Sequence, residues 1–119
     1  MAIYVAIPKL NKGITPCFEA ASGFVIAAVE NKKVISQKTV SCLGTEGHRR
    51  IRLLKVHDIE ILICNGIKGF YRDLLYTMGV KVISDINVDI EKALSDFAAG
   101  LIRPIDYAPE IPSEMKVVP

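Results

Sequence analysis

The spacing of apolar residues changes near residue 44, from strand-like segments alone to helices alternating with strands, and this switch leaves few folds open. Before it, residues 3–7, 23–30 and 34–40 are rich in apolar and β-branched side chains, which is typical of β-strands. Only the polar residues 31–33 separate the last two of these segments, so they are predicted to form a hairpin. The first third of the chain is therefore predicted to be a β-meander.

After the switch, apolar residues recur at three- and four-residue spacing, which is typical of amphipathic helices. The clearest case covers residues 67–78, and two further helices are predicted, one after Thr45 and one after Asn87. Thr45 and Asn87 are predicted to cap the amino ends of their helices. Gly79 and Gly100 lie where a glycine ends a helix in the left-handed conformation.

A short apolar run at residues 60–64 predicts a buried strand, and residues 80–83 predict the next strand. The order of elements is therefore β-β-β-α-β-α-β-α. A meander implies antiparallel pairing, whereas strand–helix–strand units imply parallel pairing through right-handed crossovers. The sequence thus predicts the α/β class, with a mixed sheet of roughly five strands and helices on its faces, and the same order describes the ribonuclease H-like architecture.

Size and charge narrow the class of protein. The chain has 119 residues, of which 50% are hydrophobic, and this suits one domain with a real core. No apolar run approaches the roughly 20 residues that a membrane span needs, and the amino end lacks the basic region of a signal peptide, so a cytoplasmic protein is expected. The net charge of +2 comes without a dense basic patch interleaved with aromatics, so a nucleic-acid partner is not expected.

The three cysteines, Cys17, Cys42 and Cys64, are odd in number and widely spaced. This pattern excludes a simple disulfide framework and a zinc ribbon, and it leaves thiols that could pack in the core or bind soft metals. Cys42 ends a predicted strand, which favours packing. Cys17 lies in a loop beside Phe18, where packing and metal binding both remain open.

Catalysis is not expected from the residues at hand. A nuclease of the ribonuclease H type needs several carboxylates around divalent metals, at least one of them on the first strand, and residues 3–7 contain none. Cys64 lies at the carboxyl end of a strand that leads into a helix, where the pKa of a thiol can be lowered. Nothing in the sequence places His48 or His57 beside it, so a buried cysteine is the favoured interpretation and a small cysteine-dependent enzyme the least favoured function.

A turn at residues 65–69 is the best candidate for ligand binding. Asn65, Gly66 and Gly69 follow a predicted strand and precede a predicted helix, whose free N–H groups can receive an anion. Ligands of open α/β sheets also bind beyond the carboxyl ends of the strands. The alternative is a plain tight turn, and the sequence leaves both interpretations open.

The first predicted helix carries basic residues on most of its surface. Arg49, Arg50 and Arg52 are predicted to form its solvent face, where they could also attract an anionic cluster or an acidic partner. His48, near the start of the same helix, is either a surface histidine or a metal ligand.

Several segments combine in a characteristic order and spacing: residues 3–8 (Ile-Tyr-Val-Ala-Ile-Pro), 15–18 (Thr-Pro-Cys-Phe), 24–34, 61–67, 74–82 and 90–100. Together they resemble the dinitrogenase iron–molybdenum cofactor biosynthesis family, of the NifX-like type. The resemblance covers about residues 1–102 as one domain and leaves residues 103–119 as a proline-containing C-terminal tail.

The resemblance implies a ribonuclease H-like fold without nuclease chemistry, and a non-catalytic carrier of an iron–sulfur or iron–molybdenum cofactor, or of its precursor. The family commonly has His-Phe-Gly where this chain has Cys17, Phe18 and Glu19. Cysteine in place of histidine keeps a possible ligand and makes it softer. The glycine-rich turn of the family matches residues 65–69.

The expected site therefore combines Cys17 with the turn residues Asn65, Gly66 and Gly69, and His48 and Cys64 are further candidate metal ligands. These are too few for a closed four-cysteine site, so a cluster bound transiently, or shared in a homodimer, is expected. The alternative is a metal-free protein–protein interaction or regulatory module, in which the basic helix or the tail contacts a cluster-maturation partner.

Overall fold

The computed structural model describes residues 1–104, which form one six-stranded sheet and three α-helices. The strands are β1 (Ile3–Leu10), β2 (Gly13–Ile14), β3 (Gly23–Glu30), β4 (Lys33–Ser41), β5 (Ile61–Ile63) and β6 (Lys81–Ile83). The helices are α1 (His48–Val56), α2 (Gly69–Thr77) and α3 (Ile90–Ala98). Within residues 1–104, none of the helices has the length and apolar character that a membrane crossing requires.

The sheet is mixed, and β1 lies at its centre. The strand order is β4-β3-β1-β5-β6. The pairs β1–β3 and β3–β4 are antiparallel, whereas the pairs β1–β5 and β5–β6 are parallel. This arrangement confirms the predicted α/β class and the predicted meander. The sixth strand, β2, is a two-residue extension that folds back on the end of β1, and it is too short to leave an alternating pattern in the sequence.

Each face of the sheet has its own hydrophobic core, because alternate residues of the central strands point to opposite faces. On the first face, Leu62 is buried together with side chains of α1 and α2, including Leu54 and Leu75. On the second face, Ile63 is buried together with Leu94 of α3. Burial on both faces explains why residues 5–8 of β1, 23–29 of β3 and 61–63 of β5 carry no polar side chain.

The amino end of α1 differs from the prediction. The helix begins at His48, after Gly47 in a positive-φ conformation (φ 54°), so the prediction that Thr45 caps it was wrong. The Thr45 hydroxyl instead donates a hydrogen bond to the backbone carbonyl of Cys42. Thr45 therefore stabilises the turn between β4 and α1.

The carboxyl ends of α2 and α3 agree with the prediction, whereas the amino end of α3 differs from it. Gly79 and Gly100 have φ values of 87° and 79°, so both glycines end their helices as predicted. The cap of α3 is Asp89, whose carboxylate accepts a hydrogen bond from the Lys92 N–H at 2.7 Å, and the prediction that Asn87 fills this place was wrong. Except for Arg103 and Pro104, the predicted tail lies outside the described residues.

Candidate functional site

Two hydrogen bonds join the segment around Cys17 to the turn that follows β5. The Phe18 N–H donates to the Gly66 carbonyl at 2.8 Å, and the Gly66 N–H donates to the Pro16 carbonyl at 2.9 Å. The two segments thus run parallel, with Cys17 directly opposite Gly66. The Cys17 thiol is exposed. The structure therefore brings together the loop cysteine and the glycine turn that the sequence singled out.

Glycine at position 66 is a steric requirement of this pairing. A Cβ atom at Gly66 would lie 2.6 Å from the Pro16 carbonyl oxygen, closer than real Cβ contacts allow. The absence of a side chain is what lets the two backbones approach. Asn65, on the amino side, accepts a hydrogen bond from the Asp85 N–H at 2.9 Å, and Gly69 is the first residue of α2.

Cys64 has surroundings unlike those of a reactive thiol. Its side chain is fully buried in the core of the first face. Burial, together with the nearby carboxylates of Asp85 and Glu19, raises the pKa of the thiol from 9.0 to about 12. A thiolate is disfavoured there, so the structure gives no support to Cys64 as a nucleophile or as a metal ligand.

Cys42 packs in the core, as predicted. Its side chain is fully buried, and its Sγ donates a hydrogen bond to the Ala21 carbonyl at 3.2 Å. Burial raises the pKa of this thiol, and the nearby charge of Arg50 opposes the rise.

His48 is the exposed first residue of α1, and its ring meets the ring of Phe70 edge-on, with centroids 6.1 Å apart. Across residues 1–104, no group of three His, Cys, Asp or Glu side chains is placed to hold a metal ion. The structure therefore does not bring His48, Cys17 and Cys64 into one cluster of ligands.

Arg50 is the residue whose environment differs most from its prediction. It was expected on the solvent face of α1, but it is only 7% exposed, whereas Arg49 and Arg52 are exposed as predicted. Its guanidinium donates hydrogen bonds to the carbonyls of Phe18 and Glu19. The sequence held one signal: position 50 precedes Leu54 by four residues, which places both on the buried face of the helix.

A cavity of about 320 Å³ adjoins the Cys17 segment. It is lined by Phe18, Glu19, Thr45, Glu46, Gly47, Arg50, Lys68 and Tyr71. Two acidic and two basic side chains line it, so it can contact charged groups of either sign. The Lys68 N–H, one of the turn donors expected to face a ligand, makes a long hydrogen bond of 3.4 Å to the Glu19 carboxylate.

The sequence comparisons identify one family. The family model described as "Dinitrogenase iron-molybdenum cofactor" matches residues 1–100, nearly the whole described part of the chain. No protein with curated annotation is detectably similar in sequence.

Solved structures share the fold at low sequence identity. The protein PH0822 superimposes with a TM-score of 0.80 at 20% identity, over 86% of this chain and 94% of its own. A proposed dinitrogenase from Methanocaldococcus jannaschii gives 0.72 at 19% identity, over 88% and 96%. The apo form of the orange protein from Desulfovibrio gigas gives 0.69 at 17% identity, over 92% and 98%. At these identities the similarity establishes the fold alone.

Proposed function

Because this chain belongs to the dinitrogenase iron–molybdenum cofactor family, we propose that it is a non-catalytic carrier in metallocluster biosynthesis. Its cargo is an iron–sulfur or iron–molybdenum cofactor, or a precursor of one. The observation that carries the proposal is an exposed thiol, Cys17, held opposite the backbone of Gly66 and followed by two residues, Phe18 and Glu19, that line a polar cavity.

The Cys17 thiol supplies the chemistry that such a cargo needs. Thiolates are the usual protein ligands of iron–sulfur clusters because soft sulfur suits both iron and sulfide. Two backbone hydrogen bonds fix the segment that carries the thiol, so its position is set before the cargo arrives. In this proposal the turn residues Asn65, Gly66 and Gly69 contact the cargo, and His48 is a further ligand.

The scarcity of ligands favours a transient or shared site. In the part of the chain that the structure describes, no three metal-ligating side chains lie together. A cluster bound by few protein ligands is labile, which suits a protein that passes its cargo to a maturation partner. The same scarcity is relieved if two copies of the chain each supply one Cys17 thiolate to a shared cluster.

The proposal extends to architecture and compartment. The central β1, with the antiparallel β3 on one side and the parallel β5 on the other, supports a ribonuclease H-like fold. The three free cysteines support a reducing compartment such as the cytoplasm.

Anaerobic reconstitution with iron and sulfide tests the carrier function. We expect the wild-type protein to bind both and to gain visible thiolate-to-iron absorption, and the variant Cys17→Ser to bind less than about one-tenth as much iron. Cys42→Ser is the matched control, because its buried hydroxyl can still donate to the Ala21 carbonyl and its iron content is expected to equal that of the wild type. Equal iron in the wild type and in Cys17→Ser would show that Cys17 is not a ligand.

A second candidate function is a metal-free interaction or regulatory module. The lack of three clustered ligands in residues 1–104 favours it, as does Phe70, a large aromatic side chain that is 61% exposed beside the site. The same reconstitution separates the two functions, because a metal-free module takes up no iron in either the wild type or Cys17→Ser.

A further inference from the structure

We propose that Arg50 is the positioning residue of the Cys17 site: it ties the turn after Cys17 to α1 and so keeps the thiol opposite Gly66. The inference rests on the proposed function only in so far as Cys17 binds the cargo. The restraint itself is a property of the fold and can be measured without any cargo.

The guanidinium of Arg50 bridges two segments that are distant in sequence. Its Nη1 donates to the carbonyls of Phe18 and Glu19 at 2.9 and 2.8 Å, and its Nη2 donates to the carbonyl of Thr45 at 3.1 Å. One side chain therefore satisfies three carbonyl groups. It links the turn after Cys17 to the segment that leads into α1.

Other contacts also hold the turn after Cys17. Because they fix the residues on both sides of Cys17, a restraint on Phe18 also restrains Cys17. The N–H of Phe18 donates to Gly66, while its carbonyl accepts from Arg50. The Phe18 ring packs against Tyr71, with centroids 5.8 Å apart. On the other side of Cys17, the Thr15 hydroxyl donates to the Cys17 carbonyl at 2.9 Å. Without Arg50, the carboxyl side of Cys17 loses its charged donor.

The environment of Arg50 argues against a purely stabilising role. Arg50 is buried, yet none of the ion pairs among residues 1–104 includes it, and its Nε has no hydrogen-bond partner there. A buried charge without an ion-pair partner is costly to desolvate, so an arginine here contributes less net stability than its three hydrogen bonds alone would give. What an apolar residue cannot supply is a planar fork of donors that reaches two backbone segments at once.

Lysine is the informative substitution, because it keeps the charge and loses the fork. A single ammonium group cannot reach all three carbonyls in the directions that Nη1 and Nη2 reach them. We therefore expect Arg50→Lys to lose the restraint on the Cys17 site to the same extent as Arg50→Gln. Arg49→Gln and Arg52→Gln are matched controls, since both arginines are exposed on the same helix.

Amide hydrogen exchange measured by NMR is the first readout. In Arg50→Lys and Arg50→Gln, we expect the amides of Phe18 and Gly66 to exchange about tenfold faster, since each variant removes hydrogen bonds from a charged donor. The amides of β1 and β3 are expected to stay near their wild-type rates, and the control variants to match the wild type throughout. Unchanged exchange at Phe18 and Gly66, or equal acceleration across the whole sheet, overturns the proposal.

The spectrum of reconstituted protein is the second readout, with iron and sulfide as the probe. We expect both Arg50 variants to show an altered visible circular dichroism per bound iron, whereas the control variants keep the wild-type spectrum. A wild-type spectrum in Arg50→Lys overturns the positioning role. If the wild-type protein binds no iron, the carrier function is contradicted, and amide exchange alone then decides whether Arg50 restrains the turn.

A measurement on the wild-type protein keeps the test decisive if the Arg50 variants do not fold. A guanidinium held by three carbonyls rotates slowly, so its Nη protons are expected to give separate NMR signals that exchange slowly with water. A single averaged Nη signal for Arg50 overturns the proposal.

Discussion

Three cysteines in one chain occupy three different environments. Cys17 is exposed beside a backbone pairing, Cys42 is buried with its Sγ hydrogen-bonded, and Cys64 is buried in a position that opposes ionisation. The place of Cys42 at the end of a predicted strand favoured packing, whereas the loop position of Cys17 left its environment open. The reason is physical: exposure of a loop residue depends on what packs beside it, and local sequence does not encode that contact.

The buried thiol of Cys64 makes stability sensitive to alkaline pH. Its pKa is about 12 in the folded protein and 9.0 without burial, so above pH 9 the unfolded chain loses a proton that the folded chain retains. This favours the unfolded state, and the contribution to the free energy of unfolding falls by about 1.4 kcal/mol between pH 8 and pH 10. The measurement is urea unfolding of the wild type and of Cys64→Ala at both pH values.

The comparison with Cys64→Ala removes the effect of every other group that titrates in this range. Between pH 8 and pH 10, we expect the free energy of unfolding to fall by about 1.4 kcal/mol more in the wild type than in Cys64→Ala. An equal loss in both proteins would show that the Cys64 thiol ionises as readily in the folded state as in the unfolded one.

The close approach at Gly66 predicts a second effect at a single residue. Gly66→Ala puts a methyl group against the Pro16 carbonyl, and we expect a loss of about 1–3 kcal/mol in the free energy of unfolding, as for other overpacked positions. Gly13→Ala is the matched control: no atom lies within 4 Å of its Cβ position, and its expected effect is less than about 1 kcal/mol. Equal effects of the two substitutions in urea unfolding would rule out the steric requirement.

At the scale of elements, sequence patterns located the three α-helices of residues 1–104 but misplaced two of their three amino ends. Apolar spacing predicts the body of a helix well, because many residues contribute to the signal. A cap depends on one side chain, and residues 84–89 contain several that could serve, so that only the path of the chain selects Asp89. Arg50 was misplaced for a similar reason, since a charged residue at the margin of an apolar stripe is buried only where backbone carbonyl groups can accept its hydrogen bonds.

The corrected cap of α3 can be tested directly. We expect Asp89→Ala to lower the free energy of unfolding by about 1 kcal/mol, because it removes the acceptor of the Lys92 N–H and a negative charge from the amino end of the helix. Asn87→Ala, two residues away, is expected to change it by less than about 0.5 kcal/mol. Chemical denaturation followed by far-ultraviolet circular dichroism measures both, and the reverse ranking would restore Asn87 as the cap.

At the scale of the whole molecule, one sheet serves two cores, with α1 and α2 on one face and α3 on the other. The class and the order of the elements follow from sequence patterns, because strand–helix alternation permits few arrangements. The meeting of Cys17 with Gly66 depends on which strands become neighbours, so it follows only once β5 is placed beside β1.

A shared sheet predicts that the two cores unfold together. We expect Leu54→Ala, in α1, and Leu94→Ala, in α3, each to cost about 2–5 kcal/mol and each to leave a single unfolding transition. The measurement is native-state hydrogen exchange, in which Leu94→Ala is expected to speed exchange in the most protected amides of α1. If those amides keep their wild-type rates while α3 is destabilised, the two layers are independent.

The central position of β1 also shapes how the chain folds as it leaves the ribosome. The two strands on the β3 side of β1, β3 and β4, are complete once Ser41 has emerged, but β5, on its other side, begins only at Ile61. At roughly 5–20 residues per second, a nascent meander exposes the open edge of β1 for about one to four seconds. During that interval the apolar edge is available to other strands, so the nascent chain needs protection from aggregation before its second half arrives.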